Sequence, residues 1–211
     1  MNAQTRREVR FGLLALALSG LMFALGIVMR GPVSLSDPGA CCRAALSPAY
    51  TSGWTIILFA LVADLYGFLG LYRYLTYQAE SRTAFLALVL IVPGIGFLFP
   101  LAAFFAVNAP AIAQLYQQGD QGVIAVVAAT FISPPGTAVQ AIHTLAVIGG
   151  AILFAVATWR DGRLPKWTAV VLALSIVLLA IPAAFANELL GALLLLIGAG
   201  AMAWRVWRET A

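Results

Sequence analysis

Polar residues along this chain fall in short clusters, and long apolar runs lie between them. Six runs, residues 11–29, 54–76, 84–107, 137–159, 166–186 and 188–207, are long enough to cross a hydrocarbon core of about 30 Å at about 1.5 Å rise per residue. They predict six transmembrane helices, since in lipid only structures that satisfy their own backbone hydrogen bonds can span. The expected fold is therefore an all-α polytopic membrane protein, with residues 1–211 forming a single helical bundle. The first run follows "RREVR" as a signal peptide would. It ends in "GIVMRGP" without a small-x-small cleavage site, so it reads as a retained helix. A further apolar stretch, "GVIAVVAATFI" (122–132), covers only about 16 Å as a helix. Together with the half-apolar "APAIAQLYQQGDQ" before it, 109–132 reads as an interfacial or re-entrant segment. "SPPG" (133–136) then breaks the chain ahead of the fourth span.

Composition removes the soluble alternative. Hydrophobic residues make up 63% of the 211 and charged residues only 9%, too few to cover a soluble domain, so the surplus must face lipid. The net charge of +4 does not point to nucleic acid, because the bases sit in small groups at the ends of the apolar runs. There they report orientation. With the N-terminus in the cytoplasm, the inside set is Arg6, Arg7, Arg10, Arg73, Arg82, Arg160, Arg163, Lys166, Arg205 and Arg208, and the outside set is Arg30 and Arg43. That bias predicts an N-in, C-in topology. It also argues against making 122–132 a seventh span, which would push Arg160, Arg163 and Lys166 outside. Two loops on the outer side, 30–53 and 108–136, are then substantial, and a short helix is expected around Arg43 in the first.

Little familiar chemistry is present. Cys41 and Cys42 are adjacent, a spacing that makes no disulfide framework, CxxC pair or zinc site. They read as free thiols, with an intermolecular bridge or a lipid attachment as the alternatives. The chain contains no GxSxG, P-loop, GxGxxG or paired catalytic carboxylates, which disfavours the soluble enzyme classes. No cofactor is assigned.

The candidate site begins with "FALVADLYGFLG" (59–70), which places Asp64 in the middle of the second apolar run. Ala60, Ala63, Asp64, Gly67 and Gly70 share one broad helical face, and small residues at this spacing let helices approach closely. Asp64 should therefore point into the bundle. A charged Asp at mid-membrane costs about 2.5–3.5 kcal/mol on the insertion scale, so the acid must be protonated, paired or hydrated. Two readings stay open: a protonated carboxyl that fixes helix register, or a carboxylate that binds a proton or cation. His143 is the only histidine, and Thr137, Gln140, His143 and Thr144 form a polar stripe on the fourth span. His143 either bonds a neighbouring helix or meets Asp64 or Glu188 in a polar cavity open to the outside. Asn108, Asn187 and Glu188 lie at the same outer ends, and Glu188 also complements a helix N-terminus. The candidate ligand- or proton-binding residues are thus Asp64, His143, Gln140 and Glu188. In the third span, "IVPGIGFLFPLAAFF" carries Pro93 and Pro100 with Gly94 and Gly96, predicting a kinked or locally unwound helix.

"WRDGRLPKW" (159–167) predicts a tight cytoplasmic turn at Asp161-Gly162, with Trp159 and Trp167 anchoring the flanking helices at the interface. This turn and the "RYL" near the end of the second span resemble bacterial multi-pass inner-membrane proteins of unknown function, mainly over residues 140–207. The resemblance implies a bacterial cytoplasmic (inner) membrane location and no activity. The functional expectation is a non-catalytic accessory or interaction subunit of an inner-membrane assembly, meeting a membrane-protein partner or a second copy. The alternative is a small transporter or ligand-binding protein using the Asp/His site. An enzyme acting on lipid or quinone is a third.

Overall fold

The computed structural model describes residues 1–32, 38–181 and 185–210. Among these residues the chain is helical and carries no strand. The helices are α1 (Ala3–Arg30), α2 (Pro38–Ala44), α3 (Pro48–Thr76), α4 (Arg82–Gln117), α5 (Gly122–Ile132), α6 (Pro134–Asp161), α7 (Lys166–Ala180) and α8 (Phe185–Thr210).

Five segments are long and apolar enough to cross a membrane: α1, α3, α4, the stretch Gly122–Asp161 that carries α5 and α6, and α8. The protein is accordingly a multi-pass membrane protein. Its exterior agrees with this, since the outward stripe of α1 is Phe11, Leu14, Leu18, Leu21, Leu25 and Val28, all exposed. In water such a face would be polar.

The ends of the elements follow local chemistry. Asn2 caps α1 through its side chain on the Thr5 amide, and Ser81 does the same for α4 on Ala84. Ser133, extended at φ −64° and ψ 152°, separates α5 from α6 and caps the latter on Gly136, with proline in the first turn. Gly162 takes the left-handed conformation, φ 71°, that ends α6 and forms the expected turn.

Three boundaries differ from the sequence reading. The third span does not stop at 107: α4 runs unbroken through Pro93, Pro100 and Pro110 to Gln117, so 109–117 is helix extension and only 122–132 is a separate element. Pro110 lies exposed on the outer face, and the helix stops only at Gly119, whose φ is 87°. Nor is α4 unwound at its prolines. The fifth apolar run, read as 166–186, yields only the 15-residue α7. Ile181 turns extended, as a residue before proline prefers, and 182–184 lie outside the described residues.

Six helices pack as a ring in chain order: α1 on α3, α3 on α4, α4 on α6, α6 on α7, α7 on α8, and α8 closing back on α1. At one end, here the Arg163 end, Arg10 donates to the Trp207 carbonyl and Arg73 pairs with Glu8. Arg163 there grips Asp161 through two nitrogens, donates to the Tyr74 carbonyl at 2.9 Å, and lies over the Tyr74 and Tyr77 rings. At the other, the Arg30 end, the α1 C-terminus meets the α8 N-terminus. Helices α2 and α5 lie outside the ring, α2 against α4 and α5 against α6.

The seam between α1 and α3 is made by glycine at both ends. A Cβ on Gly70 would sit 2.6 Å from the Gly12 Cα, and one on Gly53 would sit 2.6 Å from the Gly26 carbonyl. Backbones this close leave no room for a side chain.

Candidate functional site

The ring's centre is filled in one half and open in the other. Phe68 of α3 stacks on Phe154 of α6 at 5.3 Å, and both are fully buried. One helical turn above Phe68 lies Asp64, and from there toward the Arg30 end runs a cavity of about 150 Å³. All six ring helices line it. The walls are mainly apolar, among them Phe23, Ile57, Leu61, Ile95, Leu98 and Ile176. Five ionisable or amide side chains interrupt them: Arg30, Asp64, Gln140, His143 and Glu188. The four residues singled out in the sequence thus line one space, which Arg30 and Trp54 share.

Asp64 is 3% exposed and faces α1 across the glycine seam. Its Oδ1 lies 2.5 Å from Ser19 Oγ, which also lies 2.8 Å from the Leu16 carbonyl. A hydroxyl has one proton to give. Ser19 donates that proton to Asp64 Oδ1, to the Leu16 carbonyl, or shares it between them; both contacts are full two-centre hydrogen bonds when a protonated Asp64 donates to Ser19 Oγ and Ser19 to Leu16. A neutral carboxyl satisfies this geometry at a depth where a bare charge is costly. No cation stands against it among the described residues.

His143, 4% exposed, places Nδ1 at 2.6 Å from the Gly94 carbonyl. A carbonyl only accepts, so Nδ1 carries the proton and Nε2 keeps the lone pair in the neutral ring. Gly94 permits this approach, because a Cβ there would meet Val147 Cγ2 at 2.6 Å. The proline-flanked "PGIG" of α4 thus contributes a close helix contact and a backbone acceptor rather than an unwound turn.

Gln140 lies one turn beyond His143 on the same face of α6, half-buried. The rest of the predicted stripe points elsewhere. Thr144 reaches the Ala180 carbonyl at 3.4 Å, and the exposed Thr137 bonds back to Ser133 and Pro134. Asn108 is exposed and Asn187 half-buried, and neither lines the cavity. Cys42 is buried, and the side chain of Cys41 lies outside the described residues.

At the Arg30 end, Arg30 and Glu188 form an ion pair with side chains 7% and 16% exposed. Each also suits its helix terminus, a cation in the last turn of α1 and an anion in the first turn of α8. The Arg30 guanidinium lies over the Trp54 ring at 4.9 Å. Trp54 is stacked in turn on Phe105 of α4 at 4.9 Å. Sequence reading did not bring Arg30 into the site; the available signal was a lone base and a lone acid at the facing ends of the first and last spans.

This arrangement can do three things chemically. Asp64 can give or take a proton, His143 offers one ring nitrogen beyond its structural bond, and Arg30 with Glu188 holds balanced charge at the mouth. Among the described residues, no three His, Cys, Asp or Glu side chains come together as metal ligands. No protein-family model, curated protein or solved structure matches the chain.

Proposed function

We propose that this protein binds, and in its membrane transports, a small and mostly apolar molecule held in the cavity at the centre of the helical ring. The observation that carries this reading is the cavity itself, with Asp64, His143, Gln140 and Glu188 on its wall and apolar side chains around them. Ligand sites are typically concave, apolar and marked by a few convergent polar groups. An accessory subunit needs no such interior. The size is informative: an apolar cavity of about 150 Å³ is known to take up benzene, so the space suits a ligand body of about one benzene ring.

The same proposal includes a six-span, N-in, C-in arrangement in a bacterial inner membrane, with α7 as a short span. Its support is the sidedness of charge, ten Lys and Arg against two. The 15 residues of α7 cover about 22 Å, a mismatch that local bilayer thinning accommodates. The Arg30 end of the cavity then faces outward.

The test is thermal unfolding of the purified protein in lipid nanodiscs with benzyl alcohol, benzylamine or benzoate as ring-sized probes. At least one should raise the melting temperature in a saturable way, and Ala102→Leu, which fills part of the cavity, should abolish the shift. If no probe shifts the wild type, or if Ala102→Leu responds equally, the central cavity is not a binding site.

A further inference from the structure

The mouth of the cavity holds two buried donors that no acceptor meets. Arg30 Nε and Trp54 Nε1 are both sealed from solvent and without a hydrogen-bond partner among the described residues. Both side chains are more than nine-tenths buried, and both line the cavity. Buried donors of this kind cost free energy until an acceptor reaches them. The missing chemistry is therefore an acceptor, not another donor.

Glu188 supplies only part of it. Its carboxylate pairs with Arg30 through Nη2, leaving Nε on the same guanidinium unused. A guanidinium recognises a carboxylate best as a fork, through two parallel N–H groups, and here one prong is idle. Two of the other polar groups on the cavity wall are already engaged. Asp64 is engaged with Ser19, and His143 Nδ1 with the Gly94 carbonyl.

We infer that the cavity's ligand is a small monocarboxylate, whose apolar body occupies the Ile/Leu-lined space and whose carboxylate replaces Glu188 on Arg30. This inference rests on the binding function proposed above and specifies the ligand class. In the unliganded ring Glu188 stands in for the ligand's carboxylate and closes the mouth by tying α8 to α1. When the ligand arrives, its carboxylate takes both prongs of Arg30, with Trp54 Nε1 as the neighbouring donor. Glu188 is released toward water at the α8 N-terminus, where the helix dipole still favours its charge. No covalent step is involved.

The experiment compares three probes of one shape, benzoate, benzyl alcohol and benzylamine, by calorimetric titration of the full chain in nanodiscs. Benzoate should bind wild type at least tenfold tighter than the alcohol. Glu188→Gln removes the internal competitor while keeping the side chain's shape, and should tighten benzoate about tenfold without changing benzyl alcohol. The double variant Arg30→Gln/Glu188→Gln avoids stranding one buried charge, and should bring benzoate down to the level of the alcohol. A preference for benzylamine, equal binding of acid and alcohol, or a Glu188→Gln variant that weakens benzoate would overturn the assignment. In each of those cases retained alcohol or amine binding would leave the cavity's role standing, whereas loss of all three probes removes both.

Discussion

Gly70→Ala adds one methyl group where α3 touches α1, and its effect can be worked from the coordinates. The new Cβ would lie 2.6 Å from Gly12 Cα, 3.0 Å from the Gly12 carbonyl carbon and 3.2 Å from the Leu13 nitrogen. All three are backbone atoms, so no side-chain rotation relieves the overlap. Ordinary contact begins near 3.4 Å, and the two helices must therefore part by roughly 1 Å. Overpacking of this kind costs about 1–3 kcal/mol. For a chain of this size each kcal/mol moves the melting temperature by about 2–4 °C, giving a fall of roughly 2–12 °C. Gly200→Ala is the matched control: it is the same chemical change in a helix, with nothing within 4 Å of the new methyl. Alanine's better helix propensity should leave that variant unchanged or slightly more stable. The assay is tryptophan-fluorescence unfolding of both variants in one detergent. If Gly70→Ala melts with or above Gly200→Ala, α1 and α3 are not in backbone contact, and the placement of Ser19 against Asp64 loses its support.

Three further outcomes follow from the same geometry. Ser19→Ala should lower stability by about 1–3 kcal/mol in thermal unfolding, because it strands a buried carboxyl, and Ser19→Ala/Asp64→Leu should recover much of that loss. An undiminished Ser19→Ala protein would mean that Asp64 does not depend on α1. Arg163→Lys should cost about 1–3 kcal/mol, since lysine keeps the charge but cannot hold Asp161 through two nitrogens and reach the Tyr74 carbonyl together. Burial alone would lower the Arg163 pKa, but the hydrogen bonds to Asp161 and Tyr77 and the Asp161 charge hold it above the ordinary guanidinium value. A raised folded-state value keeps the stabilisation in full below the ordinary range and loses it only as pH rises through the raised one. The Arg163→Lys penalty should thus be equal at about pH 6 and about pH 9; a penalty that fades by pH 9 would contradict the anchor.

What the sequence made legible was local and periodic. The apolar runs located every ring helix, and the alanine and glycine spacing around Asp64 turned the acid inward, because close packing needs small residues at helical intervals. The Asp161-Gly162 turn was readable because only glycine adopts the required φ without strain. Long-range closure was not readable. Nothing in the pattern says that α8 returns to α1, so the lone base Arg30 and the lone acid Glu188, 158 positions apart, could be marked at their span ends but not paired. Two span ends were misplaced in opposite directions. The third span was read as ending at 107, yet α4 passes through the exposed Pro110 to Gln117. The fifth was read through 186, yet α7 stops at Ala180, ahead of Pro182.

The central claim is that one half of the ring encloses a mainly apolar space, marked by Asp64, His143, Gln140, Arg30 and Glu188, instead of a packed core. The most direct measurement is a density map of the purified protein in lipid nanodiscs, at a resolution that shows ordered water. The account predicts water or small-molecule density in the cavity, within hydrogen-bonding distance of His143 Nε2 or Gln140 and reaching toward Arg30. Side chains closed over that volume, with no density between Asp64 and His143, would contradict it.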